Sequence, residues 1–245
     1  MMRSPFEKKV TFLHHGHIGD IIAFLPIYYK LGGTNLVVCD ATWGEPMTGY
    51  KYNSLKPLLE NQGVQVDTSS NYSIDYDLTN WRQCYRDNIS LMDSQARFIN
   101  VVDRNNGFFE ITEPWLKVEK DPLTNGRIIF NRSPRYRNDK FPWKMLLAHY
   151  GSRAMFVGTD YEHKGFCEIV GNVEYYKTES CLDVAKAIEG SDLFVGNQSS
   201  SFWIAAGLRK PLIQEVYEPA PNSIIPYESA IYCFDGNINF DELQK

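Results

Sequence analysis

The sequence predicts an α/β protein made of two parallel-sheet units. Short apolar runs rich in Val, Ile and Phe alternate with segments of helical period along most of the 245 residues. A chain that alternates in this way builds parallel sheets with helices on both faces. The pattern then restarts after the turn-rich stretch DPLTNG, Asp121–Gly126. Two domains are therefore expected, residues 1–125 and 126–245, with the carboxy-terminal segment free to cross back onto the first.

Each element follows from its local pattern. Lys9–Leu13 reads as the first strand and Asp20–Leu31 as a helix that Pro26 is placed to kink. Asn35–Cys39 is a second strand, Leu55–Asn61 belongs to a second helix, and Val64–Asp67 and Tyr76–Thr79 are short strands. Leu91–Val102 fits helix and strand equally well. In the second unit the strands are Arg127–Phe130, Ala154–Val157, Val173–Tyr176, Leu193–Val195 and Leu212–Val216. The helices between them are Pro142–Tyr150, Tyr161–Ile169, Leu182–Ile188 and Ser200–Gly207.

Composition narrows the function classes. With 43% hydrophobic and 22% charged residues, the chain can build a core and does not read as disordered. No apolar run approaches the roughly 20 residues of a membrane span, and no basic-then-apolar leader opens the sequence, so a cytoplasmic protein is expected. The five cysteines lie far apart without a CxxC pair, which reads as buried free thiols in a reducing compartment. A net charge of −5 disfavours nucleic acid as the main partner but leaves room for a local basic patch that holds a smaller anion.

Ligands of parallel sheets bind beyond the carboxyl ends of the strands, where loops meet helix N-termini. Three loops occupy such positions. The first, HHGHIGD, His14–Asp20, crowds three histidines and two glycines ahead of an aspartate. Neighbouring loop residues rarely supply three zinc ligands, and no Cys or acidic partner stands beside them, so no metal site is assigned. The glycines lack the dinucleotide spacing. What remains is a tight turn that delivers Asp20 to the first turn of a helix, either to complement the helix dipole or to stand as a general base. The second loop, FNRSPRYRNDKFPW, sets Arg132, Arg135, Arg137 and Lys140 against one acid, Asp139. It reads as a solvated face or as a phosphate cradle, since guanidinium forks match phosphate oxygens. The third, GNQSSSFWIAAG, offers three serines at a helix start, as a cap or as an anion site, with small residues that let the helix lie close to its sheet. No GxSxG elbow is present.

Together these loops resemble the heptosyltransferase-type glycosyltransferases of glycosyltransferase family 9. The opening motif is HIGDIIAFLP, His17–Pro26, and the second is DVAKAIEGSDLFVGNQSSSFWIAAGLRKPLIQEVYEP, Asp183–Pro219. YDL, Tyr76–Leu78, resembles the family's strand near the middle of the first domain. The resemblance implies two Rossmann-like domains whose parallel sheets face each other across a cleft, the GT-B fold in compact form. It also implies a setting in lipopolysaccharide biosynthesis. Asp20 becomes the catalytic base. Asn131, Arg132, Arg135, Lys140, Gly158, Gln198, Ser199 and Ser200 become the donor and phosphate set, and His15, Gly16, His17 and Gly19 the acceptor-side loop. The implied co-substrate is a nucleotide-diphosphate sugar, the implied acceptor a glycan or other hydroxyl, and no metal or other cofactor is expected. Three positions depart from the family: Gln198 replaces aspartate, Ser200 replaces glycine and Trp203 replaces histidine.

Rival readings follow from particular residues. Asp75-x-Asp77 in SIDYDL matches the metal-binding DxD of another glycosyltransferase fold, although Ile74, Tyr76 and Leu78 alternate with the acids as in any half-buried strand. The three departures suit a binding protein without catalysis, with Trp203 stacking on a sugar or base. The basic loop would serve a transferase that acts on modified DNA bases.

Overall fold

The computed structural model describes residues 9–40, 47–69 and 71–238. Residues 239–245, which the crossing-back expectation concerns, lie outside the described residues. The first sheet contains β1 (Val10–Gly16), β2 (Gly33–Asp40), β3 (Gln65–Asp67) and β4 (Tyr76–Leu78), all parallel, in the order β3-β2-β1-β4. The second contains β5 (Ile128–Asn131), β6 (Ala154–Phe156), β7 (Glu174–Tyr175), β8 (Leu193–Asn197), β9 (Leu212–Glu215) and β10 (Ala230–Cys233). These are also parallel, in the order β10-β9-β8-β5-β6-β7. The helices are α1 (Ile18–Lys30), α2 (Gly49–Asn61), α3 (Leu91–Phe98), α4 (Trp143–Tyr150), α5 (Asp160–Val170), α6 (Cys181–Gly190) and α7 (Ser200–Gly207).

Strand order locates the sites where ligands bind. In the first sheet the chain winds outward from β1 to β2 and β3, then returns to place β4 on the other side of β1. In the second it winds from β5 to β7 and returns to place β8 beside β5. Each reversal opens a crevice at the carboxyl ends of the two strands that part there. The loops after β1, β5 and β8 are the three singled out in the sequence.

Helix α1 sets the distance between the two units. Ile21, Ile22, Ala23, Phe24, Leu25 and Ile27 are all fully buried. A helix that is apolar on every face must be covered on every face. β1 covers one side, with the Phe12 and Phe24 rings 5.3 Å apart, and α7 of the second unit packs on another. One apolar core therefore joins Phe12, Phe24 and Leu55 to Ile129, Ala187, Phe202 and Ala206, while a smaller core around Phe130, Phe156 and Phe166 covers the far face of the second sheet.

The helix runs through Pro26 to Lys30. Proline has no N–H, so the carbonyl of Ile22 loses its helical donor. The indole Nε1–H of Trp115 replaces it at 3.1 Å. The amides of Trp115 and Leu116 in turn donate to the carbonyl of Gly207 at the end of α7, at 2.9 and 3.0 Å. This approach requires glycine, because a Cβ at position 207 would stand 2.8 Å from Leu116 Cδ1. The segment between the units thus satisfies one orphan carbonyl from each of the two central helices.

The ambiguous Leu91–Val102 stretch resolves as α3, capped by Ser90, whose hydroxyl accepts from the amide of Asp93. All five cysteines are free; Cys39, Cys181 and Cys233 are buried, whereas Cys84 and Cys167 are only half-buried. No helix among the described residues is long and apolar enough to cross a membrane. Trp115→Phe keeps the ring but leaves the Ile22 carbonyl buried and unbonded, which should destabilise the protein by about 1–3 kcal/mol in urea unfolding.

Candidate active site

The two crevices open into one cavity of about 420 Å³. The first unit lines it with His17, Gly19, Asp20, Lys51, Arg82 and Tyr85, and the second with Arg135, Tyr136, Gln198, Ser199 and Ser200. The first turns of α1 and α7 lie directly against one another here. A Cβ on Gly19 would come within 3.2 Å of Trp203 Cδ1 and 3.7 Å of the Ser200 amide nitrogen. Both helices thereby bring unbonded first-turn N–H groups and positive dipole ends to the same cavity. Trp203 is buried, with its ring against Gly19 and Phe202, so it forms a wall and presents no open stacking surface.

Asp20 is the single carboxylate that lines this cavity among the described residues. Its Oδ2 accepts the His17 backbone N–H at 2.8 Å and Arg82 Nη2 at 2.6 Å. Oδ1 bonds no described residue. Arg82 stands on the short 3-10 turn Trp81–Cys84 after β4, its guanidinium 4.5 Å from the Trp81 ring centroid. The Trp81 indole donates to the His15 carbonyl at 2.8 Å, so the end of β1 fixes the turn that carries the arginine. Behind Asp20, the side-chain amide of buried Gln95 on α3 donates to its backbone carbonyl at 3.0 Å. His17 lines the cavity, and burial, outweighing nearby Asp20, lowers its pKa from the ordinary value. His15 and Gly16 end β1 and do not line this cavity; burial also lowers the pKa of His15.

His14 is fully buried in β1, its ring 5.0 Å from Phe24 and 6.4 Å from Trp81. Neither ring nitrogen has a hydrogen-bond partner among the described residues. Burial, with help from Arg82 and His15, lowers its pKa to about 3, so the folded protein holds it neutral.

The basic loop divides by function. Arg132 does not reach the cavity: it is buried, and its Nε and Nη2 donate to Glu215 at 2.9 and 2.7 Å. Glu215 is fully buried and also accepts from the Asn138 amide and the Trp143 indole, at 2.7 and 3.1 Å. The expectation that Arg132 binds phosphate is corrected accordingly, because a buried carboxylate already holds its guanidinium. Lys140 is largely exposed and pairs with Glu218 at 3.4 Å, lining neither cavity. Arg135 lines both cavities. Asn197 shapes the loop that carries it, accepting from the Ser133 amide at 2.9 Å and donating to the Arg135 carbonyl at 2.6 Å.

A second cavity of about 520 Å³ adjoins the first and shares Ile18, Arg135, Ser199 and Ser200 with it. Asn131 and Gly158 line this one, together with Lys177 and the acids Asp160, Glu162 and Glu179. Ser199 caps α7 through the Phe202 amide and donates to Asn131 Oδ1 at 2.9 Å. Asn131 Nδ2 donates to the Val157 carbonyl at 2.9 Å, tying β5, β6 and α7 together at their ligand end. The DxD carboxylates hold backbone amides: Asp75 accepts the Thr11 amide of the neighbouring β1 and Asp77 the Thr79 amide just after β4, at 3.0 and 2.8 Å.

Sequence reasoning missed Lys51, Arg82, Tyr85 and Asn222, all lining the first cavity. Arg82 had a signal, because it lies just beyond a strand's carboxyl end, but β4 is only three residues long and marks its following loop weakly.

Solved structures share this architecture. The E. coli heptosyltransferase WaaC with ADP-2-deoxy-2-fluoro heptose superposes with a TM-score of 0.58 at 14% identity, covering 92% of this chain and 93% of that one. A glycosyl transferase family 9 protein from Veillonella parvula gives 0.55 at 14% identity, covering 97% and 90%. The E. coli ADP-heptose lps heptosyltransferase II gives 0.50 at 11%, covering 91% and 93%. No protein-family model matches the sequence, and no curated protein does. The likeness establishes the fold: two parallel-sheet, Rossmann-like units in the GT-B arrangement of the heptosyltransferases.

Two outcomes follow from the site's buried groups. Arg132→Met would leave Glu215 buried without its counter-charge and should cost about 3–5 kcal/mol of stability in urea unfolding, far more than a surface phosphate ligand would. His14 has a folded pKa below its unfolded value, so the unfolded chain takes up the proton first as pH falls. Its contribution is complete above about pH 6.5 and is lost on acidification toward pH 3, at up to roughly 1.4 kcal/mol per pH unit. His14→Phe should flatten the acid side of the stability curve by that share, as read from unfolding midpoints between pH 7 and 4.

Proposed function

We propose that the protein is an inverting, metal-independent glycosyltransferase that moves a hexosyl- or heptosyl-type sugar from a nucleotide-diphosphate sugar to an acceptor hydroxyl in the cytosol. In this reading, residues 1–125 carry the acceptor side and residues 126–245 the donor side. The observation that carries it is the shared cavity, where Asp20 of the first unit stands opposite the N-terminus of α7 in the second. The bound ADP-2-deoxy-2-fluoro heptose of the E. coli neighbour supports a donor of this chemical class.

The chemistry follows from the placement of the groups. The acceptor oxygen attacks the anomeric carbon and forms the new C–O bond. The bond from that carbon to the diphosphate oxygen breaks on the opposite face, and the electron pair leaves with the diphosphate. Asp20 takes the hydroxyl proton on Oδ1, while His17 N–H and Arg82 hold Oδ2 still. Negative charge grows on the leaving diphosphate, and Arg135 with the first-turn amides of α7 offsets it. In the adjoining cavity, Asp160, Glu162 and Glu179 offer acceptors for ribose hydroxyls.

Asp20→Asn keeps the size and the Oδ2 contacts but removes the base. With a panel of ADP-, UDP- and GDP-sugars it should lower turnover by about 10²–10⁴-fold and leave nucleoside diphosphate affinity in calorimetry unchanged. Near-wild-type turnover would remove Asp20 from the mechanism. A wild-type protein that binds these donors yet neither transfers nor hydrolyses them would be a binding protein. Turnover should persist in EDTA.

A further inference from the structure

Residues 216–229 join two parallel strands, β9 and β10, without a helix. Such crossovers are usually helical, but Pro219, Pro221 and Pro226 forbid a helix here. The segment must find partners for its backbone elsewhere, and it finds them on both units. On its own side, Gln198 at the end of β8 accepts the Tyr217 amide at 2.7 Å and donates to the Ala220 carbonyl at 2.8 Å and to Asn222 Oδ1 at 3.1 Å. Ser223 accepts from Gln214 at 2.6 Å. On the far side, the buried Asn222 reaches the first unit twice. Its carbonyl accepts the Leu91 amide at 2.9 Å, and its Nδ2 donates to the Tyr85 hydroxyl at 2.6 Å.

Those two contacts fall on the two elements that hold Asp20. Leu91 opens α3, and its N–H is one of the orphan donors of a helix start. The same helix carries Gln95, which bonds the Asp20 carbonyl. Tyr85 directly follows the Trp81–Cys84 turn that presents Arg82 to the Asp20 carboxylate. We infer that Asn222 is a positioning residue: from the second unit it fixes α3 and the Arg82 turn, and through them sets Asp20 against the donor held at α7. Gln198 completes the link, because the amide that anchors Asn222 belongs to the residue immediately before Ser199, the cap of α7. Where the family has a carboxylate, this chain has an amide whose donors and acceptor hold the strap.

The inference rests on Asp20 as the base of the proposed transferase, and its test separates the two. Asn222→Ala and Tyr85→Phe each break the side-chain bond between Asn222 and Tyr85 and leave Arg135, Ser199 and Ser200 in place. With ADP-heptose as donor, each should lower kcat by about five-fold, the rate equivalent of about one net hydrogen bond. ADP affinity by calorimetry should stay at the wild-type value. The double variant should be no slower than Asn222→Ala, since both remove the same bond. Hydrogen exchange supplies a readout independent of activity. Asn222→Ala keeps the backbone carbonyl that accepts the Leu91 amide but loses the side-chain bonds to Gln198 and Tyr85. That carbonyl then loses its fixed place, so amide protection should fall in the first turn of α3 while staying in β5 and β8. Wild-type kcat with intact α3 protection, additive losses, or ADP affinity falling in step with kcat would each overturn the assignment. If the wild type turns over no ADP-heptose, the transferase reading with that donor falls, and the exchange measurement alone decides whether Asn222 braces α3.

Discussion

The architecture depends on the contact between Gly19 and Ser200, where the amino-terminal ends of α1 and α7 abut. Two helix starts at this distance set two partial positive charges, each of about half a unit, side by side. That arrangement is unfavourable unless negative charge answers it. Asp20 supplies one answer from within the chain, and the diphosphate of the proposed donor would supply the other. The same closeness requires small residues at the crossing, a buried apolar surface behind them, and a loop carrying Arg135 in front. Fold and site are therefore one problem: the packing that joins the two units also builds the electrostatic field at their junction.

The core secures that contact with an apparent defect. Pro26 removes a helical hydrogen bond in the middle of α1, where every residue from Asp20 to Tyr28 is buried. In isolation this would cost stability; here it frees a carbonyl for Trp115, on the segment between the two sheets. The end of α7 presents a second free carbonyl, and the same two residues satisfy it. The two central helices are thus aligned by polar bonds at their flanks as well as by apolar packing between them, which holds their amino-terminal ends in register at the cavity.

Most of the fold was legible because its signals are local. Strand-helix alternation gave the elements within a residue or two for β2, α5 and α6, α7 fell on Ser200–Gly207 as expected, and β1 ran three residues past the expected Leu13, to Gly16. β10 escaped because Ala230–Cys233 is only four residues, three half-buried and one buried, behind a proline-rich stretch, too short for a period to show. The candidate site was legible where one loop carries both the signal and the cavity lining, as with Asp20 and Ser199. It was misread at Arg132, where the partner that decides the residue's fate lies 83 positions away. Charge can be counted in a sequence, but its direction cannot. Asn222 was invisible for the same reason, since it acts through neighbours brought to it only by the assembled sheets; Arg82 had only the weak signal of its place after a three-residue strand.

The buried Arg132–Glu215 pair also has a consequence for how the protein comes to be folded. Glu215 belongs to β9, late in the chain, yet it supplies the acceptors that set the loop after β5. During synthesis the guanidinium emerges long before its carboxylate, and the loop has no fixed shape in the interval. Closing so long a stretch of chain is entropically costly until β8 and β9 have docked. The anion-facing surface of the second unit is accordingly completed near the end of folding, by the same residue that prevents the emerging arginine from remaining buried alone.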